Sequence, residues 1–222
     1  MRSIPFSFAA LSRCLLVGTL LAAPAVLSGC WLFAANEKAR GVEVTAEYTG
    51  LQDKSLAIVI YTEQATVNEF PAAREELSSF IAKQIHENIP TARLLDPRQV
   101  IRWQDETINW FGLTEKDIGT HFGVDRVLMI ELLGYSTRSG EGYGDLQGNI
   151  RASARIFETD GSAVSPAWRG NFDVRWPKDG PLDVSRTNEL VVRKRVLEVF
   201  TEKLVRNLYT HREMEKALRT RE

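Results

Sequence analysis

Two cysteines and three histidines in 222 residues leave little material for thiol or metal chemistry. Cys14 and Cys30 both fall within or at the end of an apolar leader, so the rest of the chain has no pair to close a disulfide, and its stability must come from a packed core. His86, His121 and His211 are scattered, and none belongs to an H-x-x-x-H or H-E-x-x-H pair, so no metal site is expected. Charge of one sign is also missing: 28 Lys and Arg against 29 Asp and Glu give a formal net charge of −1, with no basic stripe of the kind that tracks nucleic acid. Ser162 and Ser165 lack a G-x-S-x-G elbow. Gly140-x-Gly142-x-Gly144 lies between two strand patterns, where no helix N-terminus is available to receive phosphate. Asp105-Glu106 and Glu75-Glu76 fall on charged helical faces, where solvation is the default. No catalytic residue, no cofactor and no enzyme activity are expected.

A spanning helix would need about 20 apolar residues, and the apolar run that begins at Leu15 is nearer to about 12. Arg2 and Arg13 precede it, and Leu27-Ser28-Gly29-Cys30 closes it. This layout resembles the bacterial lipoprotein signal with its lipobox. The resemblance implies that the Cys30 thiol takes a diacylglyceryl group, that signal peptidase II cuts before it, and that the new amine is acylated, palmitate being a typical chain. Two or three acyl chains anchor firmly, at roughly 0.8 kcal/mol per buried methylene. The competing site is Ala23-Pro24-Ala25, an A-x-A sequence after which ordinary cleavage would leave Cys30 as a free thiol. With the lipobox cut, the mature chain has 222 − 29 = 193 residues, and loss of Arg2 and Arg13 takes the net charge from −1 to −3. Trp31, rather than Asp, follows the lipidated residue. By the enterobacterial sorting rule that places the protein in the cell envelope, at the outer membrane facing the periplasm.

The expected organisation is a signal peptide over 1–29, a lipidated tether over 30–41, an α+β domain over 42–210 and a charged helical tail over 211–222. Val42 to Tyr48 alternates apolar and polar residues, the period of a half-buried strand. Leu56 to Tyr61 is continuously apolar and predicts a central strand buried on both faces. Pro71 suits a first helical turn, with Leu77, Phe80, Ile81 and Ile85 at helical spacing before Pro90. Ala92 to Leu95 predicts a short strand, Asp96-Pro97 opens a helix through Val100 and Ile101, and Thr114 with Asp117 opens another that ends near Gly123. Asp125 to Leu133 predicts a second buried strand. Gln147 to Phe157 and Trp168 to Trp176 alternate on either side of Asp160-Gly161, a hairpin pattern with one dry face. Leu190, Leu197, Phe200, Leu204 and Leu208 form an apolar stripe on a closing C-terminal helix. The fold class is therefore α+β, a single mixed, mainly antiparallel sheet covered by helices, with a C-terminal helix closing it.

That order of elements, with Phe122-Gly123-Val124-Asp125-Arg126-Val127-Leu128 leading into a strand, Phe157-Glu158-Thr159-Asp160-Gly161 ending one and Trp168 on the return strand, resembles the CsgG and TolB amino-terminal domain type over roughly residues 54 to 210. Members often carry a Gly-Ala-Asp stretch before the strand and an Asp-x-x-Thr-Gly turn before a Val-Trp strand; this chain departs at the turn and has Pro166 before Trp168. The resemblance implies an envelope lipoprotein that works through protein contacts. CsgG itself adds two spanning hairpins, which need four strands of about 9–11 alternating residues. Ser136 to Gly148 offers room for one loop, so no pore is expected.

Two segments are candidates for contact. Trp103, Trp110 and Phe111 crowd a connection between helices, where they either roof the core or form an exposed aromatic patch for a partner or a glycan. The Gly-rich segment over 136–148, with Glu141, Tyr143 and Asp145, is a loop on a stiff hairpin, where partner contacts concentrate. The expected function is a non-enzymatic component or accessory of an envelope assembly or export apparatus, held to the membrane by lipid at Cys30, with an envelope protein or further copies of itself as partner and no nucleic acid. The alternative is a glycan- or small-ligand-binding lipoprotein that uses the Trp103–Trp110 region.

Overall fold

Leu56, Ala57, Ile58, Val59 and Ile60 are all buried, which requires cover on both faces of the strand they form. In the computed structural model, which describes residues 41–140, 144–160 and 165–214, that strand is β2 (Ser55–Thr62); β1 (Val42–Val44) precedes it. The lipobox Leu27, Ser28, Gly29 and Cys30 lies outside the described residues, as do Glu141 and Tyr143. β2 runs parallel to the two-residue β3 (Arg93–Leu94) on one side and to β4 (Arg126–Arg138) on the other. β5 (Asp145–Glu158) is antiparallel to β4, and β6 (Trp168–Trp176) is antiparallel to β5. The order is β3-β2-β4-β5-β6, with β7 (Leu182–Asp183) also paired to β5. This is the mixed sheet of an α+β fold.

Parallel neighbours need a crossover. Here the β2-to-β4 connection carries α1 (Gln64–Glu69), α2 (Ala73–Asn88), β3, α3 (Pro97–Glu106) and α4 (Glu115–Phe122). The Asp96 side chain accepts from the Arg98 amide and caps α3, and Thr114 and Asp117 form a reciprocal capping box on α4, which ends at Gly123 in the left-handed region. Both starts follow the sequence signals. One face of the sheet, carrying Leu56, Ile58, Leu128, Ile130, Ala154 and Ile156, is covered by α2 and by α5 (Glu189–Val205). Phe172 of β6 and Phe200 of α5 meet edge to face at 5.7 Å. The other face, carrying Ala57, Val59, Val127 and Met129, packs on Val100 of α3 and Ile118 of α4. Cover on this second face is partial. Beyond it Arg151, Arg169, Asn171, Asp173 and Arg175 are exposed, and Leu133, the extra residue of a bulge between Leu132 and Gly134, is 54% exposed.

Several expectations need correction. Val42 to Tyr48 is not a strand of the main sheet: only Val42–Val44 is extended, and it pairs antiparallel with β8 (His211–Glu213). The described residues accordingly fall into two units, 41–44 with 211–214 and Thr45–Thr210. His211–Glu213 is thus strand where a helical tail was expected; the helical path ends in a 3₁₀ turn, Arg206–Leu208, after which Tyr209 is extended. High charge had suggested a solvated helix, but charge alone does not choose between helix and strand. Pro71 stands before the Ala72 N-cap of α2 rather than in its first turn. Leu190 is 65% exposed and leaves the apolar stripe, while Val192 and Val196 join it. Ser136–Arg138 and Asp145–Gly148 belong to strands rather than to the expected loop, of which residues 141–143 lie outside the described residues. Gly148 is in fact a packing site: a Cβ there would stand 2.6 Å from Cβ of Val196 on α5. β5 ends at Glu158 and β6 begins at Trp168, so the two strands are not joined by the two-residue turn expected at Asp160-Gly161; Gly161 itself lies outside the described residues. The Asp160 carboxylate is committed instead to Lys54 at 3.0 Å and Arg126 at 2.8 Å.

Candidate functional site

Trp103 and Gln104 lie in the last turn of α3, which ends at Glu106 just before Trp110 and Phe111. Gln104 is buried and its amide donates to the Ile60 carbonyl at 3.0 Å, which fixes α3 against β2. Asn109, at φ 61°, turns the chain into a 3₁₀ turn, Trp110–Gly112. This reversal brings the Trp110 ring to 6.2 Å from both Tyr61 and Trp103, and Trp103 stacks on His121 at 5.2 Å. Trp103 and Trp110 are half-buried and pack on the apolar cluster beneath. Phe111, at 64% exposure, and Ile108, at 89%, do not. Two rings of the aromatic segment therefore roof the core, and one, Phe111, projects outward.

Between this roof and the sheet lies a cleft of about 300 Å³. Tyr61, Trp110, Phe111 and Leu113 wall it, and Met129, Glu131 and Arg155 reach it from the strands. The ladder sets the polar end. Arg155 stands opposite Met129 of β4 and opposite Arg169 of β6, and Glu131 stands opposite Ser153. Arg155 approaches Glu131 only to 3.9 Å, and its Nε is buried with no partner among the described residues. Arg151 lies opposite Gly134, where a Cβ would come within 3.2 Å of the Arg151 Nε; the glycine leaves room for the guanidinium. Chemically, the cleft combines flat apolar walls with two carboxylates, Glu115 and Glu131, and one cation, Arg155, which approaches Glu131 without closing a tight pair. That equips it to bind, by stacking and charge-assisted hydrogen bonds.

A second polar cluster sits at the start of β4. The buried Arg126 donates from Nε to Tyr48 Oη at 2.9 Å and to the Gly50 carbonyl at 3.1 Å. It also pairs with Asp160 at 2.8 Å and Glu158 at 3.4 Å. Burial opposes the Arg126 charge, but Tyr48, Asp160 and Glu158 more than offset that and raise its pKa. Burial, with the hydrogen bond Tyr48 donates to Glu158, pushes the phenol up to about 12. Hydrogen bonds from Lys54 and Arg126 hold Asp160 below the ordinary carboxylate range, and Ser55 does the same for Asp125. Every partner here is satisfied within the cluster, so it clamps the segment around Tyr48 and Gly50 to the sheet.

Of the residues expected to make contacts, the structure brings Trp103 and Trp110 together and leaves Phe111 exposed beside them. Asp145 is a strand residue opposite Asp183 of β7. It lies far from the aromatics, since β4 continues for seven residues beyond Glu131 to Arg138, roughly 20 Å at the ordinary strand rise. Tyr61, Glu131, Arg155 and Arg169 were not foreseen as site residues. The available signal was the polar face Arg151, Ser153, Arg155 of the β5 alternation.

No family model matches the chain, and no curated protein matches it. Among solved structures, a point variant of the PelC dodecamer from Paraburkholderia phytofirmans aligns with a TM-score of 0.46 and 12% identity over 76% of this chain and 97% of that one. Lipoprotein GNA1162 from Neisseria meningitidis aligns with a TM-score of 0.45 and 17% identity over 68% of this chain and 97% of that one. Protein XCC0632 from Xanthomonas campestris gives 0.45 and 13% over 73% and 87%. Identities and scores at this level transfer no role from those proteins to this one.

Proposed function

We propose that this protein is a lipid-anchored periplasmic component or accessory of an envelope assembly or export apparatus, and that it works by contact rather than by catalysis. The observation that carries the reading is the half-covered second face of the sheet, where exposed Phe111 and Leu113 wall the cleft and Leu133 is exposed on the β4 bulge. Exposed apolar groups gathered at the edge of a polar surface are the composition of a contact patch. The lipobox at Leu27 to Cys30 supports the anchor and the compartment, and the order of elements supports the CsgG and TolB amino-terminal type. Among the described residues no helix is long and apolar enough to cross a membrane, so attachment falls to Cys30 in this account. The Gly-rich segment with Glu141 and Tyr143, which lie outside the described residues, and Asp145 at the start of β5 is a second candidate contact region.

Cys30→Ala should abolish lipid labelling and membrane retention; a mature N-terminus at Val26, or unchanged labelling of that variant, would contradict the anchor. Phe111→Ser should reduce co-purification of an envelope partner from detergent-solubilised membranes while leaving the melting temperature in place. Retained co-purification would remove the aromatic border from the interface. A second reading, binding of a glycan or small ligand, is favoured by the cleft itself, whose 300 Å³ is sized for one sugar ring or a comparable group.

A further inference from the structure

The open face of β5 and β6 is more cationic than the sheet requires. Arg155 and Arg169 stand directly opposite one another across the ladder, a like-charge pairing that costs stability unless an anion lies between. Arg151 follows on the same face of β5, about 13 Å along the strand at ordinary rise. No ion pair is formed by Arg151 or Arg169 among the described residues. Acidic groups near this row are Glu131, 3.9 Å from Arg155, Asp173, which stands directly opposite Arg151 across the ladder and lies 4.0 Å from Arg175, and Glu115 at the rim of the cleft, so the unopposed pair is Arg155 and Arg169. The row begins at the aromatic cleft, because Arg155 belongs to both.

The backbone narrows the choice of occupant. Strand addition to a sheet edge is closed to a peptide here, because these arginines stand on the face of β5, whose amides and carbonyls are already engaged by β4 and β6; an acidic peptide would have to be held by arginine side chains alone, with no use for the aromatic cleft. Whatever lies on this face is bound by side chains alone. A pyranose ring presents a flat C–H face that stacks on an indole such as Trp110, and a carboxylate on each sugar meets a guanidinium in a two-point contact. We propose that this surface binds an anionic glycan, a uronate-bearing polysaccharide, with one sugar in the Trp110 cleft and its carboxylates on Arg155, Arg169 and Arg151. The proposal rests on the ligand-binding reading of the cleft and names the ligand's class.

The test titrates the full-length chain in detergent with oligogalacturonate, with neutral dextran oligomers and with polyglutamate, followed by calorimetry and intrinsic tryptophan fluorescence. Oligogalacturonate is expected to bind, and to bind at least about tenfold more weakly both to Arg155→Gln/Arg169→Gln and to Trp110→Leu. If dextran binds as tightly as oligogalacturonate, the cleft reading stands and the anionic assignment is overturned. If polyglutamate binds as tightly, charge alone suffices and the glycan is overturned. If no saccharide binds, both fall. Should the double variant lose its fold, the wild type decides: an affinity for oligogalacturonate that does not weaken as salt rises from about 0.05 to 0.5 M excludes the arginine row, because exposed charges are screened over that range.

Discussion

The two faces of the central sheet are built from the same strands and finished differently. On one face Ile58, Leu128, Ile130, Ala154 and Ile156 are closed over by α2 and α5, with Phe172 against Phe200 and Val196 pressed against Gly148. On the other, α3 and α4 close over Val59, Val127 and Met129, and the remainder of β5 and β6 is left to arginine, asparagine and aspartate. The first face has the apolar continuity that stability needs. The second gives up part of that burial for a cleft and a charged surface, and a protein fold sacrifices burial where contact is wanted. Stability should therefore respond to substitutions on the first face and recognition to substitutions on the second.

The largest effects belong to the covered face. Leu197, 2% exposed, should cost about 2–5 kcal/mol as Leu197→Ala in chemical denaturation, through lost transfer energy and the cavity left behind. A cost below about 1 kcal/mol would mean that α5 does not close the sheet. Gly148→Ala should cost about 1–3 kcal/mol by overpacking against Val196, and the double change with Val196→Ala should recover part of it. Next comes the clamp. Arg126→Met leaves the Tyr48 hydroxyl and the Gly50 carbonyl without their donor, at about 1–3 kcal/mol. The same cluster sets a response to acid. Asp125 and Asp160 have depressed folded pKa values, so the stability they contribute is fully present above the unfolded carboxylate value of about 4 and is lost as pH falls below that and through their lower folded values. The melting temperature should hold from neutral pH to about 5 and fall below about 4, less steeply in Asp160→Asn. Smallest of all, Arg151→Gln and Leu133→Ser should each change stability by no more than about 0.5 kcal/mol, since both side chains stand on the uncovered half. A loss as large as that of Leu197→Ala would erase the distinction between the faces.

How far the sequence revealed this molecule depended on whether a feature is local. The caps at Asp96 and Thr114, the buried runs of β2 and β4 and the alternation of β5 and β6 are set by neighbouring residues, and each could be read in advance. Features that depend on contact between distant segments could not. Leu190 has the spacing of a core residue, but in its turn of α5 Val192 is the residue that is buried, and Leu190 stays 65% exposed. Gly148 resembles loop composition, yet it is small because a helix passes 48 residues later in the chain. Arg126 interrupts an apolar run and could have been noticed, though its partners Tyr48, Glu158 and Asp160 lie up to 78 residues away. The cleft is the extreme case. Trp110 was singled out for its aromatic neighbours, while Tyr61, Glu131 and Arg155 joined it only once the β2-β4-β5 register was in place.

The most direct test of the division between the faces is site-specific photocrosslinking in cells that produce the protein. One photoreactive residue would replace Phe111 on the open side, and others Lys83 and Lys194, which are exposed on the helices α2 and α5 of the covered side. The account predicts a crosslinked adduct from position 111 and none from positions 83 and 194. Adducts from the two helix positions with position 111 silent would contradict it.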